Sequence, residues 1–192
     1  MTPALPLSSV ELVTTQSCAF VKVVPFVLYD VTTCALLIGP VTLSRSVYQV
    51  PVTSALVAKS ADGSTQPLPR SRFYVPGSVL RVSVDNMTPL AYGFGRQVDV
   101  FFDDSPAFTL GPNAIANGVS TVAWYESDSP LRSGWAWGQS YLKGSAAVVD
   151  APLGKGRILL FGPEITFRAQ SHGTFKFLFN GIYYAGLPSA GR

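Results

Sequence analysis

The chain has 192 residues, 47% of them hydrophobic and only 13% charged, with a net charge of +3. An average globular chain carries roughly 25% charged residues, so a surface this poor in charge implies a face covered by another subunit or by the rest of a larger protein. The Lys and Arg residues are scattered instead of forming a stripe, which argues against a nucleic-acid groove.

The length suits one domain able to bury a core without staples. One histidine and two cysteines are too few for a closed structural zinc site. Cys18 and Cys34 read as buried free thiols, with a disulfide as the alternative in an oxidising compartment. No basic region precedes an apolar run at the N-terminus, so no ordinary signal peptide is expected. The apolar run 19–29 contains Lys22 and Pro25 and is too short to span a bilayer. A soluble chain with no membrane partner is the expectation.

Residues 1–18 read as an irregular lead-in. Two aliphatic, β-branched runs at 21–28 and 34–38 read as buried strands. Over 41–50, Thr42 as N-cap with Leu43 and Val47 on one side predicts a short helix. The stretch 60–72 is a surface loop by composition. Strands follow at 78–84, where Val79, Arg81 and Ser83 alternate with Leu80, Val82 and Val84, and at 97–102 and 120–125. Residues 127–144, rich in Gly, Ser and Trp, predict a loop carrying Trp135 and Trp137.

The end of the chain is clearest. Apolar strands at 146–151 and 157–161, joined by Pro152-Leu-Gly-Lys-Gly156, predict a hairpin. Ser171 as N-cap then opens a helix over 172–185, stopped by Gly186 and Pro188. Phe175, Leu178, Phe179 and Ile182 fall at i, i+3, i+4 and i+7, which predicts its apolar face.

Five segments carry a resemblance. They are Phe73-Tyr-Val-Pro-Gly-Ser-Val-Leu80, Pro89-Leu-Ala-Tyr-Gly93, Val98-Asp-Val-Phe-Phe-Asp-Asp-Ser-Pro106, Pro130-Leu-Arg-Ser-Gly-Trp-Ala-Trp-Gly138, and the stretch 154–184. On these, the chain from about residue 34 resembles the C-terminal domain of a group of bacterial proteins. In that group a zinc metallocarboxypeptidase-like domain of the carboxypeptidase A type is followed by a domain similar to class I glutamine amidotransferases. The resemblance implies an α/β fold: a layered mixed sheet flanked by helices, flavodoxin- or amidotransferase-like, closing in a β-hairpin and an amphipathic helix. It divides the chain into a divergent N-terminal segment, 1–33, and an amidotransferase-like domain, 34–192, from an exported parent family.

The chemistry of those relatives does not transfer. A peptidase zinc site needs His-x-x-Glu and a distant second His, which one histidine cannot supply. Amidotransferase chemistry needs a Cys on a glycine-flanked elbow, and Cys34 lies in Thr-Thr-Cys-Ala-Leu-Leu. The implied role is a non-catalytic accessory or binding domain, self-associated as a homo-oligomer or docked to a peptidase domain.

Other constellations have a chemical and a plainer reading. Ser140-Tyr-Leu-Lys143 matches a Ser-x-x-Lys nucleophile pattern, but with two fixed positions it reads as coincidence. Asp103 and Asp104, with Asp99, could hold calcium through oxygen ligands or act as solvated and capping carboxylates at a strand end. Glu164, Arg168 and His172, spaced four apart between strand and helix, could bind an anion or carbonyl substrate with His172 as acid–base. The plainer reading pairs Arg168 with Glu164 and lets His172 cap the helix. Trp135 and Trp137, with Trp124, Tyr125 and Tyr141, could form a sugar or peptide platform or cover a core or interface. Gly154-Lys-Gly156 lacks phosphate-loop spacing. The alternative function is a small hydrolase of esters or lactones using Asp103 and Asp104 or the Glu164–His172 region, with calcium the one cofactor in view.

Overall fold

The computed structural model describes residues 11–12, 24–27, 34–38, 48–49, 51–59, 65–153 and 156–185. In chain order the strands are β1 (Glu11–Leu12), β2 (Val24–Val27), β3 (Cys34–Ile38), β4 (Tyr48–Gln49), β5 (Val52–Ser54), β6 (Val57–Lys59) and β7 (Thr65–Pro67). They continue with β8 (Ser78–Val84), β9 (Gln97–Phe102), β10 (Phe108–Leu110), β11 (Ser120–Trp124), β12 (Leu131–Ser133), β13 (Ala146–Leu153) and β14 (Gly156–Phe161). Short 3-10 turns at Pro89–Ala91, Gln139–Leu142 and Phe167–Ala169 precede one α-helix, α1 (Phe175–Ala185).

Ten strands form one sheet with a central path β12-β8-β11-β13-β14-β3-β2; β9 adds to β8, β10 adds to β13, and β5 adds to β10. Every pairing among the described residues is antiparallel. β1–β4 and β6–β7 are separate two-stranded pairs.

This overturns the layered α/β arrangement. The described fold is mostly antiparallel sheet, with a single helix at its C-terminal end. The reason lies in β13 and β14, whose sequences are apolar at nearly every position because both faces are covered. Ala147, Val148, Leu159 and Phe161 join a core that includes Phe177 of α1, whereas Val149, Ala151, Ile158 and Leu160 join a second cluster with Val52, Phe108, Ala114 and Val119. A continuous apolar run is what a buried parallel strand also shows. The connection decides: β13 and β14 pair without a break to Leu153↔Gly156, a tight hairpin that only antiparallel strands can use.

One polar pair sits within this hairpin. Arg157 donates to Asp150 through Nε at 2.7 Å and a terminal nitrogen at 2.8 Å, with side chains 29% and 6% exposed. The guanidinium also lies 5.0 Å from the ring centre of Tyr184 on α1, tying helix to hairpin.

The helix itself is turned from its expected setting. Its buried residues are Phe177 and Gly181, with Thr174 at its entry and Leu178 half-buried, while Phe179 and Ile182 are exposed. Phe-Lys-Phe-Leu-Phe-Asn-Gly-Ile-Tyr-Tyr-Ala is apolar around most of its circumference, so spacing alone does not select a face. Tertiary bonds select it. Phe177 stacks on Phe94 at 4.2 Å, and the Asn180 amide donates to the carbonyls of Leu90 and Tyr92 at 3.0 and 2.8 Å. Lys176 Nζ donates to the Gly93 carbonyl at 2.8 Å. Ser171 does not cap the helix; its hydroxyl donates to the Glu164 carbonyl, and the Thr174 hydroxyl anchors the entry on the Ile165 carbonyl at 2.6 Å.

Two smaller differences stand out. Thr65–Pro67, within the expected 60–72 loop, pairs with β6. Of the expected 41–50 helix only Tyr48–Gln49 is described, and it is strand paired with Glu11–Leu12. Cys18, Gly154, Lys155, Gly186 and Pro188 lie outside the described residues.

Candidate functional site

Two tryptophans are presented by a loop held on three sides. Residue 138 is glycine at φ +71°, where a methyl would collide with the Arg72 carbonyl; this lets the loop lie against 72–78. The Trp137 and Tyr74 backbones exchange hydrogen bonds at 2.9 and 3.0 Å. The Ser78 hydroxyl accepts from the Trp135 N–H at 2.9 Å and donates to the Trp135 carbonyl at 2.6 Å. The Trp137 indole N–H donates to the Ser71 carbonyl at 3.0 Å. So anchored, Trp135 and Trp137 remain 61% and 55% exposed, with Tyr141 nearby in sequence at 46%. Neither indole covers the core. The five-aromatic platform does not hold together as a unit, because Tyr125 is fully buried and Trp124 is half-buried on β11.

The three aspartates face different partners. Asp99 pairs with Arg81 on the neighbouring strand, Asp103 Oδ1 accepts the Gly77 N–H at 3.0 Å, and Asp104 lies 3.3 Å from Arg70. Asp103 lies just past the end of β9, outside the strand that carries Asp99. Among the described residues no three His, Cys, Asp or Glu side chains gather in a way that could hold a metal ion.

Glu164, by contrast, is joined electrostatically to a residue far away in sequence. Burial first, then the negative charge of Asp103, pushes its carboxyl above the ordinary range, and Arg168 opposes the shift. The Glu164 N–H donates to the Phe101 carbonyl at 3.0 Å, which places it at the end of β9. Arg168 lies 5.0 Å from the Phe167 ring centre, in the left-handed region at φ +45°, followed by Ala169 at φ +56°. His172 bonds through Nε2 to the Ala169 carbonyl at 2.9 Å, within its own turn. Lys143 Nζ is 3.9 Å from Asp128, and the Ser140 carbonyl accepts the Lys143 N–H in a 3-10 turn.

The sheet also carries a polar hollow that single-segment reading does not reveal. Arg81 and Asp99 stand directly opposite on β8 and β9, bonded at 2.8 and 3.2 Å, with Arg132 of β12 3.8 Å from the same carboxylate. Ser83, two residues along, donates to Glu126 at 2.5 Å and faces Trp124 of β11. Two adjoining hollows, of about 1030 and 360 Å³, share Ser83, Gln97 and Glu126. The alternation in β8 already sets Arg81 and Ser83 on the side away from Leu80 and Val82. Which strands lie beside them is long-range information that no local pattern holds.

Compared with known protein families, with curated proteins and with solved structures, the chain finds no match. No helix among the described residues is long and apolar enough to cross a membrane.

Proposed function

We propose that the chain is a non-catalytic accessory domain that docks on a protein partner through Trp135, Trp137 and Tyr141. The observation that carries this reading is the combination of exposure and fixation: two indoles more than half exposed, on a loop pinned by hydrogen bonds to Ser71, Tyr74 and Ser78. Trp and Tyr dominate binding hot spots because each buries a large rigid surface with few torsions to freeze. A prefixed loop lowers the ordering cost further. The partner class is a metallocarboxypeptidase-like catalytic domain, as the sequence resemblance implies.

The test is calorimetric titration of the chain with a carboxypeptidase A-type catalytic domain. Trp135→Ala/Trp137→Ala is expected to weaken binding by about tenfold or more, since each hot-spot truncation costs roughly 1–2 kcal/mol or above, with an unchanged circular dichroism spectrum. Equal binding by variant and parent would refute the reading. A second reading, ester or lactone hydrolysis, draws support from the raised carboxyl of Glu164 beside Asp103. Turnover of p-nitrophenyl esters lost on Glu164→Gln would favour it.

A further inference from the structure

Neither Trp135 nor Trp137 lines the hollow over β8, β9 and β11, and its chemistry differs from theirs. We infer that it binds a neutral, hydroxyl-rich chain: an oligosaccharide. Charge is the first argument. Arg81, Arg96 and Arg132 line the two hollows with Asp85 and Glu126, and Asp99, bonded to Arg81 and 3.8 Å from Arg132, offsets the third positive charge from just outside the lining, so neither an anion nor a cation is strongly favoured. A ligand without charge but dense in donors and acceptors pays neither penalty.

Preorganisation is the second. The Glu126 carboxylate is held by the Ser83 hydroxyl at 2.5 Å, and the Arg81 guanidinium by both oxygens of Asp99. Each keeps further acceptor or donor capacity for a ligand hydroxyl. Their rotamers are already ordered, so little side-chain entropy remains to be lost on binding.

Shape and apolar surface complete the case. Trp124 lines the larger hollow beside Ser83, its cross-strand neighbour, and offers an aromatic surface to the C–H face of a sugar ring. The two hollows adjoin through Ser83, Gln97 and Glu126, and most of the residues that line them are polar or charged. They suit a chain of rings that stays partly hydrated more than a compact apolar molecule, which needs enclosure.

The test uses the purified chain and neutral hexasaccharides of β-1,4-glucose, β-1,4-xylose, β-1,4-N-acetylglucosamine and α-1,4-glucose. Binding is followed by tryptophan fluorescence and calorimetry at about 50 and about 500 mM NaCl. One hexasaccharide is expected to bind at millimolar affinity or tighter, equally at both salt concentrations. Glu126→Gln and Trp124→Leu should each weaken it by about tenfold, the loss of one hydrogen bond to a charged group or of one stacked ring. Trp135→Ala/Trp137→Ala should leave it unchanged, which separates this outcome from the fate of the docking proposal. No binding by any hexasaccharide, binding indifferent to both groove variants, or binding confined to uronate-containing sugars or to peptides from a casein digest would overturn the inference.

Discussion

Replacing Arg157 by methionine probes the antiparallel hairpin at its Arg157–Asp150 contact. Asp150 is 6% exposed and receives both guanidinium bonds, at 2.7 and 2.8 Å, whereas Arg157 is 29% exposed. Arg157→Met keeps the aliphatic stem but leaves a buried carboxylate with no counter-charge, which costs about 3–5 kcal/mol. Loss of the stacked Tyr184 contact adds roughly 0.5–1 kcal/mol. Asp150→Asn is milder, because the freed guanidinium can turn to water and the amide still accepts one bond; about 1–3 kcal/mol is expected. Urea denaturation followed by tryptophan fluorescence reads both values by linear extrapolation. The order is the sharper test than either size. If Arg157→Met costs less than Asp150→Asn, or under about 1 kcal/mol, the pair is not the buried, asymmetric contact described, since breaking one from the exposed side should hurt most.

Tyr125 is buried with its hydroxyl unpartnered among the described residues, and burial pushes the phenol well above its ordinary range. Tyr125→Phe should therefore leave stability unchanged or raise it by about 1 kcal/mol in the same urea titration, since no bond is lost and a desolvated hydroxyl is removed. Gly138→Ala forces a methyl onto the Arg72 carbonyl at a positive φ; a loss of about 2 kcal/mol or more, with greater fluorescence quenching of the indoles by acrylamide, is the expected outcome. Glu164 is held above the ordinary carboxylate range, so its contribution to stability is present at low pH and is lost as pH rises through the raised folded value. Glu164→Gln should accordingly be more stable than the parent at neutral pH, and the advantage should disappear below about pH 4.

Local pattern carried the longer strands but missed the short β5, β6, β7, β10 and β12, and it did not carry the arrangement. Period-two alternation in Ser78–Val84 and the apolar runs 34–38 and 157–161 correspond to β8, β3 and β14. In β13 and β14 the absence of alternation reflects burial on both faces, a pattern shared by central strands of α/β proteins, so class could not be read from it. In α1, five aromatics in eleven residues blur the periodicity, and Asn180, Lys176 and Phe177 set the rotation through contacts about ninety residues away in the chain. Sequence placed Trp135 and Trp137 on a loop without deciding whether they are exposed or cover a core or interface, and placed Glu164 among the candidate residues; the Asp103–Glu164 encounter and the Arg81–Asp99–Arg132 cluster depend on strand neighbours and appear only in three dimensions.

Amide hydrogen exchange, in the free chain and with the carboxypeptidase A-type domain added, bears most directly on the tryptophan loop as a preformed docking ledge. The amides of Tyr74, Trp135 and Trp137 are each bonded and should exchange far more slowly than open loop amides even without partner. Added partner should slow exchange further across 133–141 and leave β13 and β14 unaltered. Free exchange of the Trp135 and Trp137 amides in the isolated chain, or partner protection that falls elsewhere, would contradict the assignment.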